Sequence, residues 1–402
     1  MRETLSKIVG EPWTEGNRIF VLENGDQIFP AMLAAIEKAK IDIQFLTYVY
    51  WQGEIAEQFA ERLAAKARDG VTCHVLIDAH GGARVGKHLL DMMEEAGVIL
   101  AKYNPFRPLS PLKYQHRTHR KILTCDSEVG FIGGVGIADE WKGDARNPDE
   151  RHEFHFQIEG PAVNSLSLAF RENWLSKWTY LRSGDHPAEM IPFDPGADEY
   201  FQRPDDHAGF HDSARMLPLL SSPLAAESEA GDAYRALIES AKESIRITSA
   251  YLIPDTEMIA LLRRAQMRGV RVELVIPGPH RDSWLAQSRS RAVWEKLLEA
   301  GVTIHLYQPT MCHAKVTIID NHFVTVGSIN FDLLSFRLNE EANVIVDSES
   351  FASLMISKFE HDKARSKELK PETHAERSGW LRFKEKLSCL FPLPYWTEGC
   401  NY

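Results

Sequence analysis

The 402-residue chain has no run of about 18 uninterrupted apolar residues, so no membrane-crossing helix is predicted. Its first residues, MRETLSKIVGEPW, show no basic stretch followed by an apolar core, so no secretory leader is predicted either. Cysteine is scarce: Cys73, Cys125, Cys312, Cys389 and Cys400 form no CxxC pair and no Cys/His zinc spacing. That argues against a disulfide scaffold and a zinc site, and an odd, scattered set fits a reducing compartment. The expected location is the cytosol, or a membrane approached from its cytosolic side. Base is in short supply, with 46 Lys and Arg against 57 Asp and Glu, a formal net charge of −11. Nucleic-acid binding by phosphate neutralisation uses the opposite sign, so no nucleic-acid partner is expected. Gly81-Gly82 stands without GxGxxG or a following Lys-Ser/Thr, and reads as a turn rather than a nucleotide loop.

What is present is an ordinary globular composition, 44% hydrophobic and 26% charged, in a length that suits two domains. The chain also repeats itself. AMLAAIEKAKIDIQFLT (31–47) parallels AYRALIESAKESIRITS (233–249), and FAERLAAKARDGVTCHVLIDAHG (59–81) parallels IALLRRAQMRGVRVELVIPGPH (259–280). LDMMEEAGVILAKY (90–103) parallels VWEKLLEAGVTIHLY (293–307). Each half thus reads helix, strand, helix, strand, helix, strand. Apolar residues at helical spacing (Met32, Leu33, Ile36, Ala39; Phe59, Leu63, Ala67) precede short β-rich runs. Gly70 and Gly269 fall where a left-handed helix end is needed. The predicted fold class is α/β: two pseudo-twofold-related domains, each a mostly parallel mixed sheet flanked by helices. The expected boundaries are 1–182 and 215–360, with a Pro-, Gly- and Asp-rich linker at 183–214 and a tail at 361–402.

At matching places stand HRKILTCD (119–126) and HAKVTIID (313–320), both His-x-Lys, four residues, Asp. His119 and His313 are 194 apart, as are Asp126 and Asp320. Gly133-Gly134 and Gly327-Ser328 follow at the same offset. On a strand, His and Lys two apart share a face, and the Asp arrives where the strand turns. Two such hairpins facing each other would gather His119, Lys121, His313 and Lys315 around one point. Fixed cations and hydrogen-bond donors suit the oxygens of a phosphodiester. One histidine can attack phosphorus while the other moves protons, and neither a metal nor a cofactor is expected to take part. Each half offers a later carboxylate to orient an imidazole: Glu153 in the first, Glu341 or Glu340 in the second. Their spacings allow pairing within a half, Glu153 with His119 and Glu341 with His313.

The duplicated motif with its trailing Gly-Gly and Gly-Ser resembles the phospholipase D superfamily. RTHRKI, GGVGIADEW, RHEFHFQIEGPAV and GSINFD…SFRLNEEAN are similar to bacterial cardiolipin synthases, closest to the short forms without N-terminal transmembrane helices. The similarity runs over residues 18–360. It implies an active site at the domain interface and a phosphohistidine intermediate, with His119 the nucleophile and His313 the acid and base. Lys121 and Lys315 would bind phosphate, Asn330 would line the pocket, and Asp126 and Asp320 would hold the hairpins. The substrates implied are phospholipids, phosphatidylglycerol and also phosphatidylethanolamine, handled by a monomer. The chain departs from the family pattern in three places. Gly136 replaces a common Asn, Leu333-Leu334 a polar-Arg pair, and Glu153 a common Asp.

His80, His116, His152 and His155 read as local polar residues rather than further bases. In the tail, 363–402, eight Lys and Arg face five Asp and Glu. There Trp380, Phe383 and Leu387 share a helical face and Trp396 follows, a pattern that suits peripheral contact with an anionic membrane. The activity expected is phosphatidyl transfer between lipids at the cytoplasmic face of a bacterial inner membrane. A phospholipid hydrolase sharing the same phosphoenzyme is the alternative. A nucleic-acid phosphodiesterase and a non-catalytic lipid binder are less favoured readings.

Overall fold

The computed structural model describes residues 1–106, 117–182, 214–221, 229–372 and 380. The duplicated strings become duplicated elements. In the first half, helices Gly25–Lys38, Glu54–Arg68 and Lys87–Glu95 alternate with strands Asp42–Thr47, Thr72–Asp78 and Ile99–Tyr103. In the second, helices Glu229–Ser240, Thr256–Met267 and Trp284–Glu299 alternate with Ser244–Thr248, Arg271–Pro277 and Thr303–Tyr307. Met32, Ile36, Phe59 and Leu63 are buried, as an apolar helical stripe requires. Gly70 has φ of 90° with open space around its Cβ position, so backbone conformation alone selects glycine there.

Each half then adds a hairpin: Ile122–Cys125 with Val129–Gly133, and Val316–Ile319 with Phe323–Gly327. Both insert antiparallel beside the first strand of the helix–strand repeat. The α/β class and flanking helices stand as expected, and each sheet is mixed. In the large sheet, parallel pairing is confined to the three strands of each helix–strand repeat. Hairpins make antiparallel neighbours by construction, so the motif hairpins and the strands beyond them run antiparallel.

The two half-sheets join through strands Thr14–Glu23 and Ala214–Ser221, which pair antiparallel and extend one 16-stranded sheet across the molecule. A buried apolar cluster draws on both halves, including Ile132, Phe156, Val326 and Val344. Helix Glu349–Ala364 runs through residue 360, and strand Ser366–Glu368 pairs with Thr303–Tyr307. Residues 361–368 therefore pack with the second half, where the sequence reading began its tail. The linker at 183–213 and tail residues Phe383, Leu387 and Trp396 lie outside the described residues. Trp380 is exposed. Among the described residues no helix is long and apolar enough to cross a membrane.

Candidate active site

The residues from His119 to Lys121 are extended, so alternate side chains point to opposite faces. His119 and Lys121 line a cavity of ≈ 610 Å³, and His313 and Asn330 line the same cavity. Arg120, between them, points the other way. Its buried guanidinium donates to the carbonyls of Ala169 (3.0 Å), Ser221 (3.2 Å) and Glu341 (3.2 Å) and to Asn173 Oδ1 (2.8 Å). Arg120 thereby ties the first hairpin to the strand carrying Glu341, a role the sequence reading missed. At the equivalent place the second motif has Ala314, also buried.

Pairing of carboxylate and imidazole crosses between the halves. His119 Nδ1 lies 2.9 Å and 3.0 Å from the two carboxylate oxygens of Glu341, and His313 Nδ1 lies 2.5 Å from Glu153 Oε2. The within-half pairing allowed by the spacings is therefore corrected. The cause is a pair of short exchanges. Met311-Cys312 pairs in parallel with Arg151-His152, and Thr118 bridges to Glu340. The His313 amide donates to His152 O (2.7 Å), and the His119 amide donates to Glu340 O (2.8 Å). Each half's glutamate segment is thus laid against the other half's histidine segment.

These ladders also separate Glu341 from Glu340. Neighbours on an extended segment face opposite ways, and Glu340 accepts from Tyr103 Oη (2.6 Å) instead. His152, the residue before Glu153, is likewise turned away, to Asn24 Oδ1 (2.9 Å) and Asp362 Oδ2 (3.0 Å). Asn24 Oδ1 also accepts the Glu153 amide (3.1 Å), which fixes the strand that presents this carboxylate.

The glycines after the motifs make room for these pairs. A Cβ on Gly134 would stand 2.3 Å from Glu153 Oε2, and one on Gly133 2.3 Å from His155 Nδ1. A Cβ on Gly327 would meet Asn343 Oδ1 at 2.2 Å. Ser328, where the first half has Gly134, donates from Oγ to Glu341 Oε2 (2.5 Å), and Ser335 Oγ donates to Oε1 (2.8 Å). Gly136 is explained by its surroundings. Its Cβ would stand 2.8 Å from Val49 Cβ and 2.9 Å from the Trp141 ring, so these side chains leave no room for one at this position.

Electrostatics divide the two pairs. Burial alone would raise the Glu341 carboxyl, but His119, Lys121 and the Ser328 hydroxyl outweigh it and hold it below its ordinary value. Burial dominates at Glu153 and pushes it up to about 7, against the pull of Lys315. Burial, with the Lys121 charge beside it, keeps the His119 imidazole below its ordinary value despite Glu341. Burial, then Lys315 and Arg151, depress His313. Burial also lowers Lys121, to about 7, and Lys315. Lys121 donates to the His119 carbonyl (2.7 Å), and Lys315 to the His313 carbonyl. Lys315 Nζ is 2.9 Å from His313 Nδ1.

Asp126 and Asp320 are not brought to the cavity. They sit at the turn end of their hairpins, both with positive φ. Asp126 accepts the amides of Lys40, Ile41 and Asp42 at 2.8–3.0 Å. Asp320 accepts those of Lys242, Glu243 and Ser244. Each carboxylate clips its hairpin to the end of the preceding helix and the start of the neighbouring strand. His155 is buried, with both ring nitrogens unpartnered, and burial holds it near 3. His80 lines the cavity, its amide donating to Asp78 Oδ1 (2.8 Å). His116 lies outside the described residues.

Several cavity residues lie outside the two His-x-Lys motifs and were given no role by the sequence reading. The His119 ring meets Tyr48 edge-on at 5.2 Å, and His313 meets Trp141 at 5.3 Å. Arg117 lines the wall and donates to Asp78 Oδ1 (3.2 Å) and Asn104 O (3.1 Å). Arg151 stacks on Trp141 at 4.0 Å. Among the described residues no group of three or more His, Cys, Asp or Glu is placed to hold a metal ion. Lys121 lines the cavity, whereas Lys315 is buried against His313 and is not among the lining residues. The arrangement can hold a phosphodiester beside Lys121, present one imidazole to its phosphorus and supply a proton from the other.

The family model described as "Cardiolipin synthase, PLD-like domain" matches residues 32–172 and 234–363. Cardiolipin synthase 1 of Bacillus anthracis is 32% identical over 392 residues, covering 97% of this chain and 75% of the relative. Cardiolipin synthase of Listeria innocua is 29% identical over 378 residues, covering 94% and 75%. Among solved structures, phosphatidylserine synthase of Haemophilus influenzae superposes with a TM-score of 0.71 at 14% identity, covering 94% of this chain and 93% of that one. Polyphosphate kinase of Porphyromonas gingivalis gives 0.53 at 13% identity, covering 92% and 56%. At these identities the structural likeness is one of fold.

Proposed function

Because the chain belongs to the cardiolipin synthase, PLD-like domain family, we propose that it is a phosphatidyltransferase that makes cardiolipin from phosphatidylglycerol through a phosphohistidine. The observation that carries this reading is the pair of crossed His–Glu contacts, with His119, His313 and Lys121 lining one cavity and Lys315 buried against His313.

The asymmetry of the two pairs supports an order of steps. His119, kept neutral by burial, donates its Nδ1 proton to the ionised Glu341 and turns the Nε2 lone pair to phosphorus. The N–P bond forms as the bond to the departing glycerol oxygen breaks, and His313 gives that oxygen its proton. The positive charge left on His119 is stabilised by Glu341. An acceptor hydroxyl then loses its proton to His313 and attacks phosphorus, and His119 leaves with its electron pair. Glu153, with its carboxyl near 7, lets the His313 pair hold or release one proton near neutrality. Lys121 and Lys315 bind the non-bridging oxygens, and Asn330 faces the same pocket. Asp126 and Asp320 shape the hairpins. The halves 1–182 and 215–360 act as two half-site domains in one chain.

Apolar side chains, including Trp51, Trp141 and Leu334, contribute to the cavity wall beside its charged groups, and Trp380 is exposed in the tail. Both features support peripheral attachment to an anionic membrane on its cytoplasmic face. The test is lipid mass spectrometry on the purified protein with phosphatidylglycerol vesicles, with and without phosphatidylethanolamine, and with His119→Ala as control. Cardiolipin from the wild type alone is expected. Phosphatidic acid as the sole product would replace transfer with hydrolysis.

A further inference from the structure

Transfer between two phospholipids brings a second phosphate into the site. The donor's phosphate is the one attacked. The acceptor carries its own, one glycerol away from the hydroxyl whose proton His313 takes. An anion buried without a partner is costly, so the His313 side of the cavity needs a cation beyond the two lysines.

Arg151 is placed there. It sits two residues before Glu153 in the segment that pairs with Met311-Cys312, so the ladder that seats Glu153 on His313 also fixes Arg151. Its guanidinium lies 4.0 Å over the Trp141 ring, and the same ring meets His313 at 5.3 Å. Stacking holds a guanidinium by its face and leaves its N–H edge for other partners. Asp282, on the same cavity wall, forms an ion pair with Arg151 at 3.7 Å, too long for a hydrogen bond, and accepts its hydrogen bond from Tyr251 Oη (2.7 Å) instead. The other cavity guanidinium, Arg117, is engaged by Asp78 and the Asn104 carbonyl. The charge is also one-sided. With Glu153 matched to Glu341, Arg151 corresponds to Asn339, which is neutral. The duplicated site therefore has this guanidinium on the side of His313 and Trp141 and an amide on the other.

We propose that Arg151, stacked on Trp141 beside His313, is the binding residue for the phosphate of the acceptor lipid and so selects an anionic acceptor. This rests on the phosphatidyl-transfer reading above. A phosphate meeting the guanidinium edge gains two charge-assisted hydrogen bonds, and an acceptor alcohol without a phosphate gains none.

The test is a competition between acceptors. The purified protein is given phosphatidylglycerol vesicles in dilute ethanol, and cardiolipin and phosphatidylethanol are counted together by mass spectrometry. In Arg151→Gln the ratio of cardiolipin to phosphatidylethanol is expected to fall about tenfold or more, the scale of one lost charge-assisted hydrogen bond. Arg151→Lys keeps the charge but loses the fork, and is expected to give an intermediate ratio. That variant also reports on the charge if the glutamine variant fails to fold. A ratio unchanged in Arg151→Gln, or both products falling in step, overturns the assignment of Arg151 and leaves transfer standing. Neither product from the wild type overturns the transfer reading and this inference with it.

Discussion

Glu153 is where the chemistry and the stability of the molecule pull apart. A buried carboxyl near 7 holds a proton that the unfolded chain releases near 4.5. The folded state then binds more protons than the unfolded one, so this group's contribution to stability is full below 4.5 and is lost as pH rises towards 7. Glu153→Gln removes that loss. Its melting temperature is expected to match the wild type at acid pH and to exceed it increasingly between 4.5 and 7, as read by thermal melts across that range. The same variant leaves His313 without a carboxylate, and turnover is expected to drop on the order of 10²- to 10⁴-fold. Most of the residues in this arrangement were legible in the sequence, because a motif present twice marks its own important positions. The partner of each histidine was not. Spacing along the chain allowed Glu153 with His119, whereas the exchanged ladders at 311–312 and Thr118–Glu340 join residues that only the packing of the halves brings together. The roles of Tyr48, Trp141 and Arg151 were hidden for a related reason: each contacts the site through a ring or a charge and lies outside the two His-x-Lys motifs.

At the scale of elements, each hairpin is anchored at the end away from the cavity. Asp126 receives three successive amides, and so does Asp320. Replacing either by Ala leaves those donors to water and removes the clip. A loss of about 2 kcal/mol is expected for each, as hydrogen bonds to a charged acceptor suggest, measured by denaturant unfolding. Activity is expected to fall in proportion to the displacement of the hairpin, with no change in the ionisations that govern its pH profile. The repeated helices and strands were readable because amphipathic periodicity and glycine ends agree, as at Leu63 and Gly70. The antiparallel share of the sheet was less readable, because hairpin strands such as Val316–Ile319 mix apolar and β-branched polar residues much as the parallel ones do. The end of the second half was misplaced for the opposite reason. Helix Glu349–Ala364 packs across the sheet and the polar strand Ser366–Glu368 lies at its edge, and an edge strand with one wet side carries little apolar signal.

For the whole molecule, the joining strands matter more than the linker. Thr14–Glu23 and Ala214–Ser221 continue one sheet through both halves, and a shared apolar cluster lies across the join. Calorimetry is therefore expected to record a single unfolding transition. Two separated transitions would show halves that melt independently.

The crossed carboxylates also bear on descent. Each half keeps in its own segment the carboxylate that contacts the other half's histidine, so neither copy holds a complete His–Glu pair by itself. A recombinant that joins one half of this chain to the opposite half of a distant relative would have to form both His–Glu pairs across the new join. A change at any of these four residues is therefore felt in the opposite half of the chain as well as in its own.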